Sequence, residues 1–439
     1  MAWFNGRNIN SGIFHGRSVD LNRLIAGFTP GTRPTVYGWH VDPSISDPAQ
    51  AVTYLADAVG KTPAAMGASS FSYGDWANAF FMPKPCMLRY DGTVAYYLDP
   101  NDYTKKEDGT ASDVANANFA GNAMMEWPLI WYKFEAGEAD GEGSFYCSNK
   151  QVDSSYKCWC NYDVNNNIIP HFYTAIYNGT GTSKLRSLSG VRLTPSNGNG
   201  MTTILEDMSR ASANNTQADI PEWTIHTWCD RSLINALIVL MTKTLDSQSS
   251  IGKGISSGGQ SAKENYVTGS LNNKGLFNGD VSGESTAVKV FGMENWWGCV
   301  WTRVAGLNTT EESGKCLYKL TIGTIDGSTA EGYNTTGDGY IKTNILTTDN
   351  LNYSQIKKMS YGKHGMLPIS ADAIGPDASI SGWYSDGFFN PPVASHAMFG
   401  GSASQSSSHV GCFDLSIGAG AGFKAWYMSA SLSCKPRLR

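Results

Sequence analysis

Two cysteines one residue apart, Cys158-Trp-Cys160, are the first side chains in this sequence with metal-binding chemistry. Zinc is held by sets of Cys and His at recurrent spacings. No second Cys/His pair stands at such a spacing and His171 alone does not complete a set, so two buried thiols and no metal are expected. Asp163-Val-Asn-Asn-Asn167 opens like a calcium loop but lacks the turn glycine and the closing bidentate glutamate, which leaves a surface Asx turn. Paired carboxylates of the kind a glycosidase uses occur at Glu135, Glu138 and Asp140 and at Glu311-Glu312. They lie in polar, glycine-rich stretches where charge is ordinarily solvated. The seven histidines are dispersed, and none has a nucleophile or acid to name beside it. No cofactor motif emerges, so the expected activity is binding, not catalysis.

Binding chemistry concentrates in the last sixty residues. Phe399-Gly-Gly-Ser-Ala-Ser-Gln-Ser-Ser-Ser-His-Val-Gly-Cys-Phe-Asp-Leu415 sets a run of small polar side chains before an alternating strand. Gly411, Phe413, Leu415 and Ile417 fall on one face of that strand, and Val410, Cys412, Asp414 and Ser416 on the other. A second side-chain-poor loop, 418–426, carries Phe423, Lys424 and Trp426. It leads to a final strand in which Met428, Ala430, Leu432 and Cys434 alternate with Tyr427 and three serines. Loops rich in Ser, Gly and aromatic residues have the composition of a paratope: small polar groups hydrogen-bond adaptably while aromatic rings give rigid contact area. Trp383, Tyr384, Phe388, Phe389, Trp426 and Tyr427 are the rings available for that role. The alternative is a surface turn with buried aromatics beside it.

These loops need a scaffold, and the rest of the chain reads as one. With 41% hydrophobic and 16% charged residues among 439, there is apolar material for one large domain or two modest ones. The segment 1–34 holds two similar phrases, Phe4-Asn-Gly-Arg7 and Phe14-His-Gly-Arg17, then a Pro-Gly-rich break, and reads as a short N-terminal attachment arm. From Thr35 a β-rich run is followed by Ser46-Asp47-Pro48, which predicts a helix with Val52, Leu55, Ala56 and Val59 on one face and Gly60 closing it. Strand-like pieces follow at 86–90, 94–98 and 125–134. A second helix is predicted from Asp230 as N-cap through Leu245, apolar enough to be covered on most sides. Gly292-Met-Glu-Asn-Trp-Trp-Gly-Cys-Val-Trp301 is an aromatic turn leading into a strand, its tryptophans packing in the core. The expectation is an α+β domain over 35–439 with antiparallel sheets, two main helices and long loop insertions, its ligand-binding region near 383–434.

Charge and cysteine usage exclude some partners. The formal net charge is −5, and Lys105-Lys106 and Lys357-Lys358 are isolated pairs, so no basic stripe is present to neutralise phosphates and nucleic acid is not expected. No apolar run reaches the roughly 20 residues of a membrane helix, and the first residues lack a basic then apolar export pattern. Nine irregularly spaced cysteines predict reduced, buried thiols and folding in a bacterial cytoplasm.

Three segments carry a resemblance. Gly400-Gly401-Ser402, Gly411-Cys-Phe413-Asp-Leu415 and Ser429-Ala-Ser-Leu432 resemble the C-terminal region of the variable proteins of diversity-generating retroelements. The block 292–301 is similar to the Gly-x-Glu-Asn-x-Trp-Gly-Asn-x-Trp element of the same C-type-lectin-like fold, in the branch shared with formylglycine-generating enzymes. Met125-Glu-Trp-Pro-Leu-Ile-Trp-Tyr-Lys133 is similar to a strand of phage tail proteins of this type. The resemblance spans about residues 125–434 and departs at Ala403, where tryptophan is frequent, and at Cys299, where asparagine is usual. It implies a C-type-lectin-like fold on which Ala403, Ser404, Gln405, Ser406, Ser408, His409, Asp414 and Ser416 face a ligand. It further implies a phage tail receptor-binding protein, located in the virion, that grips a bacterial surface protein or glycan. Docking to other tail proteins would run through the N-terminal arm, and a trimer is favoured. A structural decoration or connector protein of the virion is the alternative. A surface-polysaccharide hydrolase ranks last, and Cys412 and Cys434, on separate strands, do not match the reactive pair of the oxidase relatives.

Overall fold

Val36–Val41 and Val52–Ala56 are rich in β-branched and aromatic residues, which suit a pleated, half-buried surface. They pair antiparallel from Tyr37↔Ala56 to Val41↔Val52, so the helix expected over 46–60 is corrected to a turn and a strand. The turn is capped as a helix would be: the Asp47 carboxylate accepts from the N–H groups of Ala49 and Gln50 at 2.9 and 3.1 Å. Propagation then stops, because Val52 and Tyr54 turn inward while Thr53 stays exposed. Apolar residues at 52, 55 and 56 fit either period over so short a run, and Val59, the fourth of the supposed face, is 67% exposed.

The computed structural model describes residues 33–438 except 69, 218–221, 313–314, 321–331, 347–352, 375–377, 392–393 and 406–407, together with strands at 3–4, 7–8, 11–14 and 17–20. The chain divides into two compact units, Met1–Thr35 and Val36–Arg439. In the first, the repeated phrases are two hairpin pairings, Phe4↔Arg7 and Phe14↔Arg17.

Three large sheets carry most of the described part of the second unit. A four-stranded sheet runs Trp131–Ala136, Gly143–Ser148, Val36–Val41, Val52–Ala56. A seven-stranded antiparallel sheet is centred on Gly121–Trp127, between Lys84–Arg89 and Phe172–Ala175. The run 125–134, expected as one strand, is therefore divided between two sheets at Pro128. The largest sheet places Leu415–Ala419 between Ser395–Phe399 and Gly387–Phe389, with Trp301–Glu312 and the hairpin Ser354–Gly362/Gly365–Ala373 farther out. Strand outweighs helix three to one, 33% against 11%, so the α+β expectation is corrected to a mainly β architecture.

The central helix, Trp228–Thr242, contains no Gly or Pro and is buried at all positions but Cys229. Its N-cap is Thr227, three residues before the expected Asp230, which instead completes a reciprocal capping box. Asp230 also accepts from Ser433 Oγ at 2.9 Å and Lys435 Nζ at 2.6 Å, tying the helix start to the last strand. The helix stops at Lys243, whose backbone is left-handed (φ 52°). A second helix, Ile204–Ser212, starts at a Thr203/Glu206 capping box. Trp39, Trp76, Trp127, Trp223 and Trp297 are fully enclosed, and truncating any one is expected to cost roughly 3–5 kcal/mol. No helix among the described residues is long and apolar enough to cross a membrane.

Candidate binding site

The chemistry weighed for the early motifs resolves into structural roles. Cys160 Sγ meets the Tyr132 hydroxyl at 3.6 Å, and burial pushes the Cys158 thiol up to about 11. Asp163 closes its own turn, accepting from the N–H groups of Asn165 and Asn167 at 2.9 and 2.8 Å. Glu135 pairs with Lys133 at 2.6 Å and Asp140 with Lys358 at 3.1 Å. Among the described residues no group of three or more His, Cys, Asp or Glu is arranged to hold a metal.

The C-terminal loops rest on a platform of buried hydrogen bonds. Gly400 and Gly401 both adopt left-handed backbone (φ 88° and 63°). A Cβ on Gly401 would lie 2.4 Å from Asp414 Oδ2, and one on Gly400 would lie 2.8 Å from the Trp296 carbonyl. The Gly-Gly-Ser turn is thus required by close packing over the aromatic block. Gly298 N–H donates to the Gly400 carbonyl at 2.6 Å. From the central helix, Asn235 Nδ2 donates to the Cys412 carbonyl at 2.6 Å while its Oδ1 accepts from Trp296 Nε1 at 2.8 Å. Gln248 Nε2 donates to the carbonyls of Ser385 and Ser408 at 2.9 and 3.0 Å. Asp386 Oδ2 accepts from Phe413 N–H at 2.7 Å. The 418–427 loop is anchored from the other side, where Arg303 donates to the Phe423 carbonyl at 3.2 Å and Met201 N–H to the Ala425 carbonyl at 3.0 Å. Arg303 is itself held by an ion pair to buried Asp207.

This platform encloses titratable groups. Burial pushes the carboxyls of Asp386 and Asp414 well above the ordinary carboxylate range, with Asp246 adding to the rise at Asp386 and Asp386 to that at Asp414. Burial also lowers the Arg231 guanidinium to about 9; it lies 4.1 Å over the Trp296 ring. Removing a charge from water without full pairing costs free energy, so these groups belong to the scaffold.

Between the two loops opens a pocket of about 360 Å³. Eight of the sixteen residues singled out from the sequence line it: Phe388, Phe389, Ser404, Gln405, His409, Ser416, Phe423 and Tyr427. Trp301, Tyr353, Met398 and Met428 complete its apolar wall. Ser404 and Phe423 are exposed, and Gln405, Ser408 and Tyr427 half-buried. His409 is enclosed, with Nε2 2.6 Å from the Ala378 carbonyl.

Several expected ligand-facing residues are turned inward. Ala403 packs with Cys299 and Val300, while Asp414 is fully buried and accepts from Gln405 Nε2 at 3.3 Å. Val410, Cys412, Asp414 and Ser416 are as buried as the opposite set, because the 410–414 stretch is a turn drawn into the interior, with Cys412 N–H donating to Ser247 Oγ and Phe413 N–H to Asp386. Regular strand structure there spans only Leu415–Ala419. The final strand is likewise two pieces, Met428–Ser429 in the large sheet and Leu432–Cys434 in the seven-stranded one. Tyr384 is enclosed, its hydroxyl bonded to that of Tyr361. Trp383 is half-buried, and its Nε1 donates to the Pro43 carbonyl at 3.3 Å. Lys424 is exposed and pairs with Glu206 at 3.1 Å; Trp426 is half-buried against Tyr427. Ser406 lies outside the described residues.

Of the wall residues the sequence reading passed over, Trp301 was assigned to core packing and Met428 to the final strand, and Tyr353 carried no signal in its polar surroundings. No protein-family profile matches the chain, and no curated protein is significantly similar to it in sequence.

Proposed function

We propose that this chain is an adhesion protein, the receptor-binding tip of a phage tail, which recognises a bacterial surface protein or glycan through the pocket between the 401–409 and 418–427 loops. The observation that carries the reading is convergence. Phe388, Ser404, Gln405, Ser416, Phe423 and Tyr427 come from separate segments and line one pocket, over a backbone fixed by buried hydrogen bonds from Asn235 of the central helix and from Gln248 beyond its end. Aromatic side chains in a fixed frame offer contact area at low conformational cost, and the small polar groups beside them supply adaptable hydrogen bonds. The nearest carboxyls are enclosed, so the proposal assigns the chain a binding role and no chemical step. Docking to the particle through the N-terminal arm, and trimeric assembly, belong to the same proposal.

The test uses full-length Phe423→Ala, Tyr427→Ala and Ser404→Ala/Gln405→Ala proteins with host envelope fractions. Loss of an anchoring aromatic is expected to weaken binding roughly tenfold or more, with melting temperature unchanged for the exposed Phe423. Wild-type binding by all three variants would refute the assignment.

A further inference from the structure

A second and larger cleft, about 510 Å³, lies between the strand Trp131–Ala136, the 154–159 loop, the start of the central helix and the tip of the 354–373 hairpin. Its volume falls within the roughly 300–1,000 Å³ of small-ligand sites. The half-buried rings of Phe134 and Trp159 and the edge of Trp228 give it aromatic walls. Trp228 is held in place by its Nε1–H, which donates to the His364 carbonyl at 2.6 Å.

Three lysines reach the cleft, and they are not equivalent. Lys133 is committed, 2.6 Å from Glu135 and about 5 Å over the rings of Tyr146 and Tyr156. Lys157 and Lys363 have no ion-pair partner among the described residues, although the chain as a whole carries net charge −5. Burial lowers His364 to about 4, so it is neutral and adds no cation. One buried polar group stands in the cleft wall: Ser232 is a lining residue, and its enclosed Oγ has no protein hydrogen-bond partner among the described residues. An unpaired buried hydroxyl costs free energy unless something satisfies it.

We propose that this cleft is a second binding site, for an anionic saccharide unit. The sugar ring packs its C–H face on Trp159 and Phe134, its hydroxyls meet Ser232 and the serines of the 154–155 turn, and its acidic group lies between Lys157 and Lys363. A purely apolar ligand would leave both ammonium groups and the Ser232 hydroxyl unanswered. A neutral sugar would answer only the hydroxyl. The proposal is independent of the pocket between the C-terminal loops.

Calorimetric titration of the full chain with trigalacturonate, maltotriose and AMP tests it. Trigalacturonate is expected to bind and maltotriose and AMP not to. Lys157→Ala/Lys363→Ala should weaken trigalacturonate roughly tenfold or more, and added salt should weaken the wild type in the same direction. Ser404→Ala/Gln405→Ala, in the other pocket, should leave this titration unchanged. Both lysines are solvent-accessible, so the double variant is expected to melt with the wild type; Trp159→Ala adds a charge-independent check. No binding of trigalacturonate, equal binding of maltotriose, preferential binding of AMP, or full affinity in the double variant would each overturn the proposal.

Discussion

Asn235 joins the central helix to both the aromatic block and the C-terminal platform, and Asn235→Leu isolates that junction. Leucine is close in size, so the change leaves little cavity and acts through hydrogen bonding. Two contacts are lost, Asn235 Nδ2 to the Cys412 carbonyl at 2.6 Å and Trp296 Nε1 to Asn235 Oδ1 at 2.8 Å. Asn235 is 2% exposed and both partners are equally enclosed, so water cannot replace what is removed. Leaving a buried donor or acceptor unpaired costs about 1–3 kcal/mol. With two such groups the expected destabilisation is about 2–6 kcal/mol, the lower half if the Cys412 turn relaxes. Urea denaturation gives the number, and amide exchange over 399–417 shows whether the loss is local to the platform or global. Weaker binding to envelope fractions should accompany it, because the pocket side chains stand on that backbone. A midpoint within about 0.5 kcal/mol of wild type, the ordinary range of surface changes, would refute the view that these bonds hold the platform.

Asp414→Asn should stabilise the protein increasingly as pH rises. The folded carboxyl is raised above its unfolded value of about 3.9, so the wild type keeps that group's contribution below pH 4 and loses it as pH climbs through the folded pKa. The gap between variant and wild type therefore widens from pH 4 to pH 8, by about 1.4 kcal/mol per unit of difference; a gap that closes contradicts the burial argument. Gly401→Ala should cost about 1–3 kcal/mol, because Cβ meets Asp414 Oδ2 at 2.4 Å as well as adopting positive φ. Gly190→Ala, with similar φ but nothing within 4 Å, should cost only about 1 kcal/mol, and equal losses would remove the packing explanation. None of the eight described cysteines forms a disulfide, and all but Cys229 are buried. A thiol reagent at pH 8 should label Cys229 before the other seven, and rapid early labelling of Cys86, Cys147 or Cys434 would contradict their enclosure.

Where a segment's pattern allowed a single period, the sequence was a sufficient guide. Residues 36–41 and 94–98, rich in β-branched and aromatic side chains, are strands; the 233–241 run, unbroken by Gly or Pro, is helix. The 52–59 segment fitted two periods, and pairing with Val36–Val41 decided between them. The helix Ile204–Ser212 carried a readable signal, Thr203 and Glu206 spaced as a capping box, but its interior is short and polar. The C-terminal strand failed differently. Its small and large side chains do alternate, yet alternation locates a solvent face only for a strand covered on one side, and Leu415–Ala419 is flanked and covered on both.

That same placement explains which part of the candidate site a sequence can reveal. A charged or polar residue is by default a surface residue, so Asp386, Asp414, His396 and Arg303 give no warning that they are fully enclosed. Their burial depends on partners far along the chain: Arg303 on Asp207, and Asp386 on the Phe413 amide. The recognition residues are different in kind. Ser404, Gln405, Phe423 and Tyr427 retain exposed surface because the chain around them is pulled down at other points, by Gly400, Gly401, Cys412 and Ala425. Composition marks the loop, since only small residues and glycine permit such turns. The side chains that remain outside are decided by which backbone groups the core captures, and that is a property of the assembled sheet, not of the loop.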